Sequence, residues 1–571
     1  MRHTTTTRPN VALLLDYLSN AYQRDLIDGA SRAARERGAN TWIFVGGWFK
    51  DEALGLDDNV VYQLVRKPAI DGVVAAMSSL VTLLGRAAGE RILRRFQLPT
   101  VSVGLSVNGV PSVRVDNRTG LRQMCEHLVR DHAYRRFAMI GGPANNEDSE
   151  DRIAACHEAL DALGAALPEQ RVTRQGFTVQ AGIDGVRELL DKRRTVRDTL
   201  DALICASDLV AEGALKALAE RGVTVPERIA VTGFDNLERS PYLSPPLTTV
   251  HQPVIDLAHR ATRSLFRSLE GSAAPLAETL PSTLVLRRSC GCLPSQEPAL
   301  PPQKDEPTPP RPSRAIAHIM QRRELIYAAL SRAAGPQFKG MGLGWEGRWL
   351  TALRADLEAP TGRTFLSSLD APLRRPGQCR RELDVWLEVL ATFRQELLRD
   401  VDDQEVCRRI EDIMHAARLS TAGAIEWFEV NRWMVTSEAL QGALGAIDRL
   451  VQVAGQEAFW TRLQHELAQL SIHTCFVTLF TDSGRERSRL LWAYSSRETL
   501  PELRSQTFAS SELLPGRLAT RPRDDAMVVR TLVSNGQPLG TAFLSYTAAH
   551  VASYEPLIGV IAAAIERSPR A

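Results

Sequence analysis

The sequence predicts an α/β protein with two doubly wound parallel-sheet lobes, followed by an all-α region and a smaller α+β domain. Three observations carry this reading. From residue 11 to about residue 288, short continuous apolar runs alternate with amphipathic runs of helical period, the signature of buried parallel strands returned by helices. The stretch 293–314, LPSQEPALPPQKDEPTPPRPSR, is dense in proline, which removes amide donors and fixes φ, so it reads as an extended spacer. Beyond it, helical period continues almost without strand signal until the last hundred or so residues.

The strand candidates in the first half are VALLLDY (11–17), TWIFVGG (41–47), IDGVVAAM (70–77), PTVSVG (99–104), RFAMIGG (136–142), ALICAS (202–207) and RIAVTGF (228–234). Helical runs over 25–37, 121–131, 153–163 and 211–221 lie between them. That is enough strands for two sheets. In the region 315–431, Trp345, Trp349, Trp386 and Trp427 are the expected core anchors. A helical run over 432–470 places Leu440, Leu444, Ile447, Leu450 and Val451 at three- and four-residue spacing. The finish is strand-rich, with HTCFVTLFT (473–481), RLLWAYSS (489–496), AMVVRTLVS (526–534) and GTAFLSYT (540–547). The Asn535-Gly536 dipeptide between the last two is a two-residue hairpin signal. A helix over 554–567 closes the chain. The domain boundaries are therefore set at 8–292, 293–314, 315–431, 432–470 and 471–571.

Length and composition bound the class. At 571 residues, and with a prior of roughly 150 residues per domain, three or four units are expected. A net charge of +2 argues against a chain that coats nucleic acid electrostatically. The N-terminus lacks the apolar core of a secretory signal, no apolar run reaches the roughly 20 residues of a membrane span, and the eight cysteines are scattered. A cytoplasmic protein without membrane contact is expected. No Gly-x-Ser-x-Gly elbow, P-loop or HExxH is present, so no enzyme, no catalytic residue and no cofactor is expected.

Several turn motifs together resemble the LacI/GalR family, the periplasmic-binding-protein-like ligand-binding core of sugar and purine repressors. They are VRVDNRTG (113–120), AMIGGPANNEDSEDRIAAC (138–156), LICASDLVAEGALKAL (203–218), and VTGFDN (231–236) with SPPLTTVHQP (244–253). The resemblance covers residues 8–290. The family's repressors begin with a helix-turn-helix; here the first strand starts by residue 11, so that reader is expected to be absent. Three and four residues after Arg152 the family carries a glycine and an aromatic, and this chain has Ala155 and Cys156. The last 110 or so residues are similar in outline to a GAF-type domain, and the helix before them to a signalling helix. No cyclase, kinase or AraC-like output signature is read in the sequence.

Two such lobes hold ligand beyond the carboxyl ends of their strands, where a polar ligand needs a few charged groups and aromatic faces. Arg152 matches the family's ligand-binding arginine; its fork can donate two parallel bonds to vicinal hydroxyls, and the alternative is a surface arginine paired with Asp148 or Asp151. Asp235 matches the ligand-accepting aspartate; the alternative is a turn residue. Ser207 and Asp208 end another strand, and Asp208 either faces ligand or caps the following helix. Tyr22 and Phe177 match aromatic stacking positions, with Tyr17, Trp48 and Phe49 also near strand ends. Asp16 is a further polar candidate. Cys290-Gly-Cys292 is read as a strand end with no His or Cys cluster beside it, the alternative being a redox pair; no metal site is expected.

The resemblance implies a small sugar- or nucleoside-like effector, closure of the lobes, a homodimer, and a partner in signalling or transcription. The alternative is direct DNA contact through residues 315–432, motivated by arginine-rich stretches at 374–381 and 408–418, although no DNA-binding motif supports it.

Overall fold

In the computed structural model the chain forms two compact units, Met1–Glu297 with Ala439–Ala571, and Pro298–Glu438. The structure describes residues 8–18, 21–46, 59–82, 85–144, 146–165, 167–192, 200–272, 275–292, 314–335, 344–358, 364–373, 380–453, 455–497, 506–518 and 526–567.

The first unit opens with a parallel sheet. Its strands are β1 (Asn10–Leu15), β2 (Asn40–Val45), β3 (Gly72–Ala76), β4 (Thr100–Val103) and β5 (Ser112–Asp116). In β1 to β4 all but the first residues are nearly fully buried, as strands covered by helices on both faces must be. The chain then crosses to a second sheet of β6 (Phe137–Gly141), β7 (Val172–Arg174), β8 (Ala202–Cys205) and β9 (Ala230–Thr232). It returns through the two-stranded β10 (Thr249–His251) and β12 (Thr283–Val285), while β11 (Ala277–Pro281) pairs in parallel with β5 of the first sheet. The first sheet runs β2-β1-β3-β4-β5-β11 and the second β7-β6-β8-β9. Both are doubly wound, each with its order reversing at a switch point beside β1 or β6.

The C-terminal part contributes β13 (Thr474–Phe480), β14 (Arg487–Ser495), β15 (Thr507–Ala509), β16 (Met527–Ser534) and β17 (Gln537–Ser545), an antiparallel set in the order β16-β17-β13-β14-β15. Asn535 and Gly536 both sit at positive φ, +51° and +74°, in the hairpin turn that joins β16 to β17. One strand pairing has no precedent in the sequence pattern. Strand β16 pairs in parallel with β2, in the register Trp42↔Met527 to Val45↔Arg530, so the C-terminal strands extend the first lobe's sheet to eleven strands. Arg530 Nη1 donates to the carbonyls of Val45, at 2.9 Å, and Gly46 across this seam. One apolar core runs along each face of the joined sheet. Val45, Val528 and Leu544 lie in one, Trp42, Phe44, Val529 and Phe543 in the other. The otherwise open edge of β2 is thereby paired.

In the second unit, helices Arg323–Ala334, Trp345–Glu358, Thr364–Leu373 and Arg380–Leu398 surround an aromatic centre. Trp349 is fully buried against Trp345, Phe365, Trp386 and Phe393, with ring centroids 4.9–5.8 Å apart. The side chain of the fourth expected anchor, Trp427, lies outside the described residues. The helical run expected over 432–470 is in fact two helices, Gln404–Val451 and Gln456–Gln469, broken at Gly455 with φ +90°. Leu450 is buried, whereas Leu444 and Val451 are 57% and 47% exposed.

Candidate functional site

Each switch point places a loop beyond the carboxyl ends of its strands, and the polar residues singled out in the sequence follow those strands. Arg152 lies on the helix Glu147–Ala162 after β6, which Asn146 caps by accepting from Ser149 N. Its side chain is buried. Nε donates to Asn117 Oδ1 at 3.0 Å, Nη1 donates to the Ala206 carbonyl at 2.6 Å, and Nη1 stands 3.6 Å from Asp235 Oδ1. The guanidinium centre is 3.7 Å from the Phe234 ring centroid and 5.9 Å from that of Phe177, a cation over two aromatic faces. The surface pairing with Asp148 or Asp151 is thus not what holds it.

Asp235 follows β9 at φ +114°, and Asn236 follows at +56°. Such backbone in non-glycine residues is tolerated only where the surroundings over-determine it. The chain is pinned there by a parallel bridge to His251, with Asp235 N donating to the Val250 carbonyl. Asp235 Oδ1 accepts from Gln252 Nε2 at 2.6 Å. Burial pushes its carboxyl up to about 8, outweighing the opposing pull of Arg152.

Tyr22 comes from the other lobe, in the first turn of the helix Ala21–Glu36. Its hydroxyl hydrogen-bonds Ser78, and burial with the nearby charge of Asp148 pushes the phenol well above its ordinary range. The charges of Asp235 and Arg152 also act on it from the other lobe. Asn146 Nδ2 donates to the Ser78 carbonyl at 3.0 Å, and Arg24 pairs with Glu238 at 3.4 Å, so contacts span the lobes on either side.

The remaining candidates are engaged elsewhere. Ser207 Oγ accepts from Val210 N at 3.3 Å and caps the helix Asp208–Glu220. Asp208 is buried and accepts from Leu237 N at 2.8 Å, Thr249 Oγ1 at 2.6 Å and Ser240 Oγ. It knits the loop after β9 to β10, and burial raises its carboxyl to about 6. Asp16, also buried, accepts from Gln23 Nε2 at 2.9 Å and Ser79 Oγ at 3.2 Å within its own lobe. Tyr17 is half-buried, and Trp48 and Phe49 lie outside the described residues.

The structure therefore brings together Arg152, Asp235, Tyr22 and Phe177, and adds Asn117, Phe234, Gln252 and Asp148. Asn117 Nδ2 donates to Asp148 Oδ1 at 3.0 Å while its Oδ1 receives Arg152, so one amide orients both charges. Asn117, Phe234 and Gln252 stand inside the turn motifs that carry the LacI/GalR resemblance, and their position there was the available signal.

One sequence expectation is corrected. The pair Cys290 and Cys292 is not without histidine neighbours: His127 and His132 lie beside it, all four ligating atoms within 4.8 Å of one another. The histidines are some 160 positions away in the chain, and only the fold brings them together.

A two-lobed, doubly wound domain with a charged, aromatic-lined space between its lobes is of the periplasmic-binding-protein-like class. Residues 125–290 match the family described as the periplasmic binding protein-like domain. The chain is similar to the HTH-type transcriptional regulator CelR of Thermobifida fusca, 34% identical over 188 residues, which are 33% of this chain and 54% of that protein. It is also similar to the HTH-type transcriptional repressor CytR of Escherichia coli K12, 30% identical over 32% of this chain and 53% of that one. The chain thus spans about half the length of these curated relatives. Among solved structures, a CelR–cellobiose complex aligns with TM-score 0.42 at 29% identity, covering 50% of this chain and 85% of that one. Among the described residues no helix is long and apolar enough to cross a membrane.

Proposed function

We propose that this chain is a ligand-responsive regulator that binds a hydroxyl-rich effector, of the sugar or nucleoside class, between its two lobes. The observation that carries the proposal is the buried Arg152 guanidinium, stacked on Phe234 and facing Asp235, with the charges of both acting on Tyr22 of the opposite lobe. Donor fork, carboxyl acceptor and aromatic faces are what vicinal hydroxyls and sugar C–H surfaces require. Burial favours the protonated form of Asp235, in which the carboxyl both donates and accepts. The CelR structure contains cellobiose, in keeping with this ligand class.

The effector favours the closed arrangement only by its differential affinity for it. Because β2 of the Tyr22 lobe is continuous with β16, movement of that lobe carries the C-terminal strands with it. This GAF-like part, with a homodimer and a signalling or transcriptional partner, would form the output. A thermal-shift screen of mono- and disaccharides and nucleosides tests the site. A true effector at a hundredfold excess over its Kd should stabilise by about 2.7 kcal/mol, and Arg152→Met should abolish the shift. A panel in which no compound stabilises the wild-type chain, or in which the variant responds equally, refutes the proposal.

A second reading, direct DNA contact through residues 315–432, is favoured by the transcriptional role named for both curated relatives. Of its arginines, Arg408 pairs with Glu405 and Asp412, and Arg409 donates to the Asp356 carbonyl. Residues 374–379 lie outside the described residues. A gel shift whose affinity falls steeply with salt would favour this reading over the first.

A further inference from the structure

We propose that His127, His132, Cys290 and Cys292 form a tetrahedral site for a zinc-type divalent cation, which fastens the end of the sensor domain to its second lobe. The geometry fits without rearrangement of the backbone. Zinc bonds of about 2.0–2.1 Å to nitrogen and about 2.3 Å to sulfur require tetrahedral edges of about 3.4 Å between two nitrogens and about 3.6 Å between nitrogen and sulfur. His132 Nε2 stands 3.1 Å from His127 Nε2, and Cys292 Sγ stands 3.4 Å and 3.5 Å from the same two nitrogens. Cys290 Sγ closes the set within 4.8 Å.

The surroundings are those of a prepared site. His127 Nδ1 meets Asp131 Oδ2 at 2.6 Å, which holds the proton on Nδ1 and turns the Nε2 lone pair toward the other three ligands. A carboxylate behind a ligating histidine is the usual supporting partner at zinc, and it fixes the tautomer. Thr248 Oγ1 donates to Cys290 Sγ at 3.1 Å. His132 stacks on Tyr134, with centroids 5.2 Å apart, and Tyr134 Oη donates to the Cys290 carbonyl at 3.1 Å. Between the cysteines, Gly291 takes φ +103°; a side chain there would stand 3.0 Å from Tyr134 Oη and 3.3 Å from the His132 ring. Both the turn and the ring's approach need glycine.

The placement gives the site its role. The histidines lie at the end of the helix Asn117–Arg130, which packs in the second lobe's core, and the cysteines follow β12 just before the proline-rich 293–314 stretch. A bound ion would cross-link positions some 160 residues apart, where the sensor ends. This binding is independent of any effector.

The test uses the full chain, purified reduced and stripped with chelator, and titrated with Co(II) and then Zn(II). One equivalent of Co(II) should give the intense visible bands of tetrahedral coordination with a thiolate charge-transfer band, and Zn(II) should displace it. Cys292→Ser and His132→Ala, both at partly exposed positions, should fold and lose the charge-transfer band and at least tenfold in affinity. Asp131→Asn should keep the spectrum and weaken binding about tenfold or more. The proposal is overturned if the reduced chain takes up no Co(II), or if the ligand variants take it up equally. It is equally overturned if Cys290 and Cys292 are found only as a disulfide whose reduction restores no uptake. Effector-induced thermal shifts, read separately, distinguish this failure from failure of the effector site.

Discussion

Replacing Asp235 by asparagine makes the electrostatics of the interlobe space measurable. The folded carboxyl is pushed up to about 8 from an ordinary 3.8, because burial outweighs the Arg152 charge 3.6 Å away. Between these values the folded chain holds a proton that the unfolded chain has released. The folded state binds more protons, so stability falls as pH rises: this contribution is complete below the unfolded value and is lost as pH climbs through about 8. Each unit of pH corresponds to about 1.4 kcal/mol, so the whole window of roughly four units amounts to about 6 kcal/mol at most. Asparagine preserves the volume and a carbonyl oxygen for Gln252 but cannot titrate. Calorimetric unfolding of both proteins from about pH 5 to about pH 8 should therefore give a stability difference, wild type minus variant, that declines by about 1 kcal/mol per unit. Subtraction cancels the groups that do not feel Asp235; Asp208, at about 6, acts on it and is cancelled only in part. A difference that stays constant, or grows toward high pH, would mean that Asp235 is ionised throughout and forms an ordinary ion pair with Arg152, refuting the reasoning.

Three further substitutions probe the rest of the molecule. Asp208→Ala leaves Leu237 N–H and the hydroxyls of Ser240 and Thr249 without their buried acceptor, and at about 1–3 kcal/mol for each such group should cost at least about 3 kcal/mol; denaturant midpoints check this. Trp349→Ala empties the centre of the helical unit and should cost about 3–5 kcal/mol, seen as an earlier melting transition by circular dichroism. Val529→Asp sets an unpaired charge in the core beside the β2–β16 seam and should cost more than about 4 kcal/mol, with limited proteolysis then freeing the C-terminal strands.

How much of this was legible depends on the kind of information each feature needs. The strands of both lobes read off the sequence because parallel strands buried on two faces are continuous apolar runs, and the runs at 11–17 and 136–142 fall on β1 and β6 within a residue or two. Asn535-Gly536 announced its hairpin because few residues take positive φ at both turn positions. Arg152 and Asp235 could be named because they stand in motifs that resemble the LacI/GalR family, one on the helix after β6 and the other directly after β9, where strand ends face the cleft. Ser207 and Asp208 satisfy the same rule, yet one caps a helix and the other binds a loop together, and nothing local separates these uses from ligand contact.

The sequence by itself determined the strands, the turns and the set of polar residues standing at the strand ends, because these depend on periodicity and on chemistry within a few residues. Only the tertiary structure decided that β16 pairs with β2, that Asn117 stands between Arg152 and Asp148, and that His127 and His132 meet Cys290 and Cys292. Each joins chain segments from about 30 to almost 500 residues apart. Contacts of that kind are fixed by how whole sheets and helices pack, and the local pattern carries no record of them.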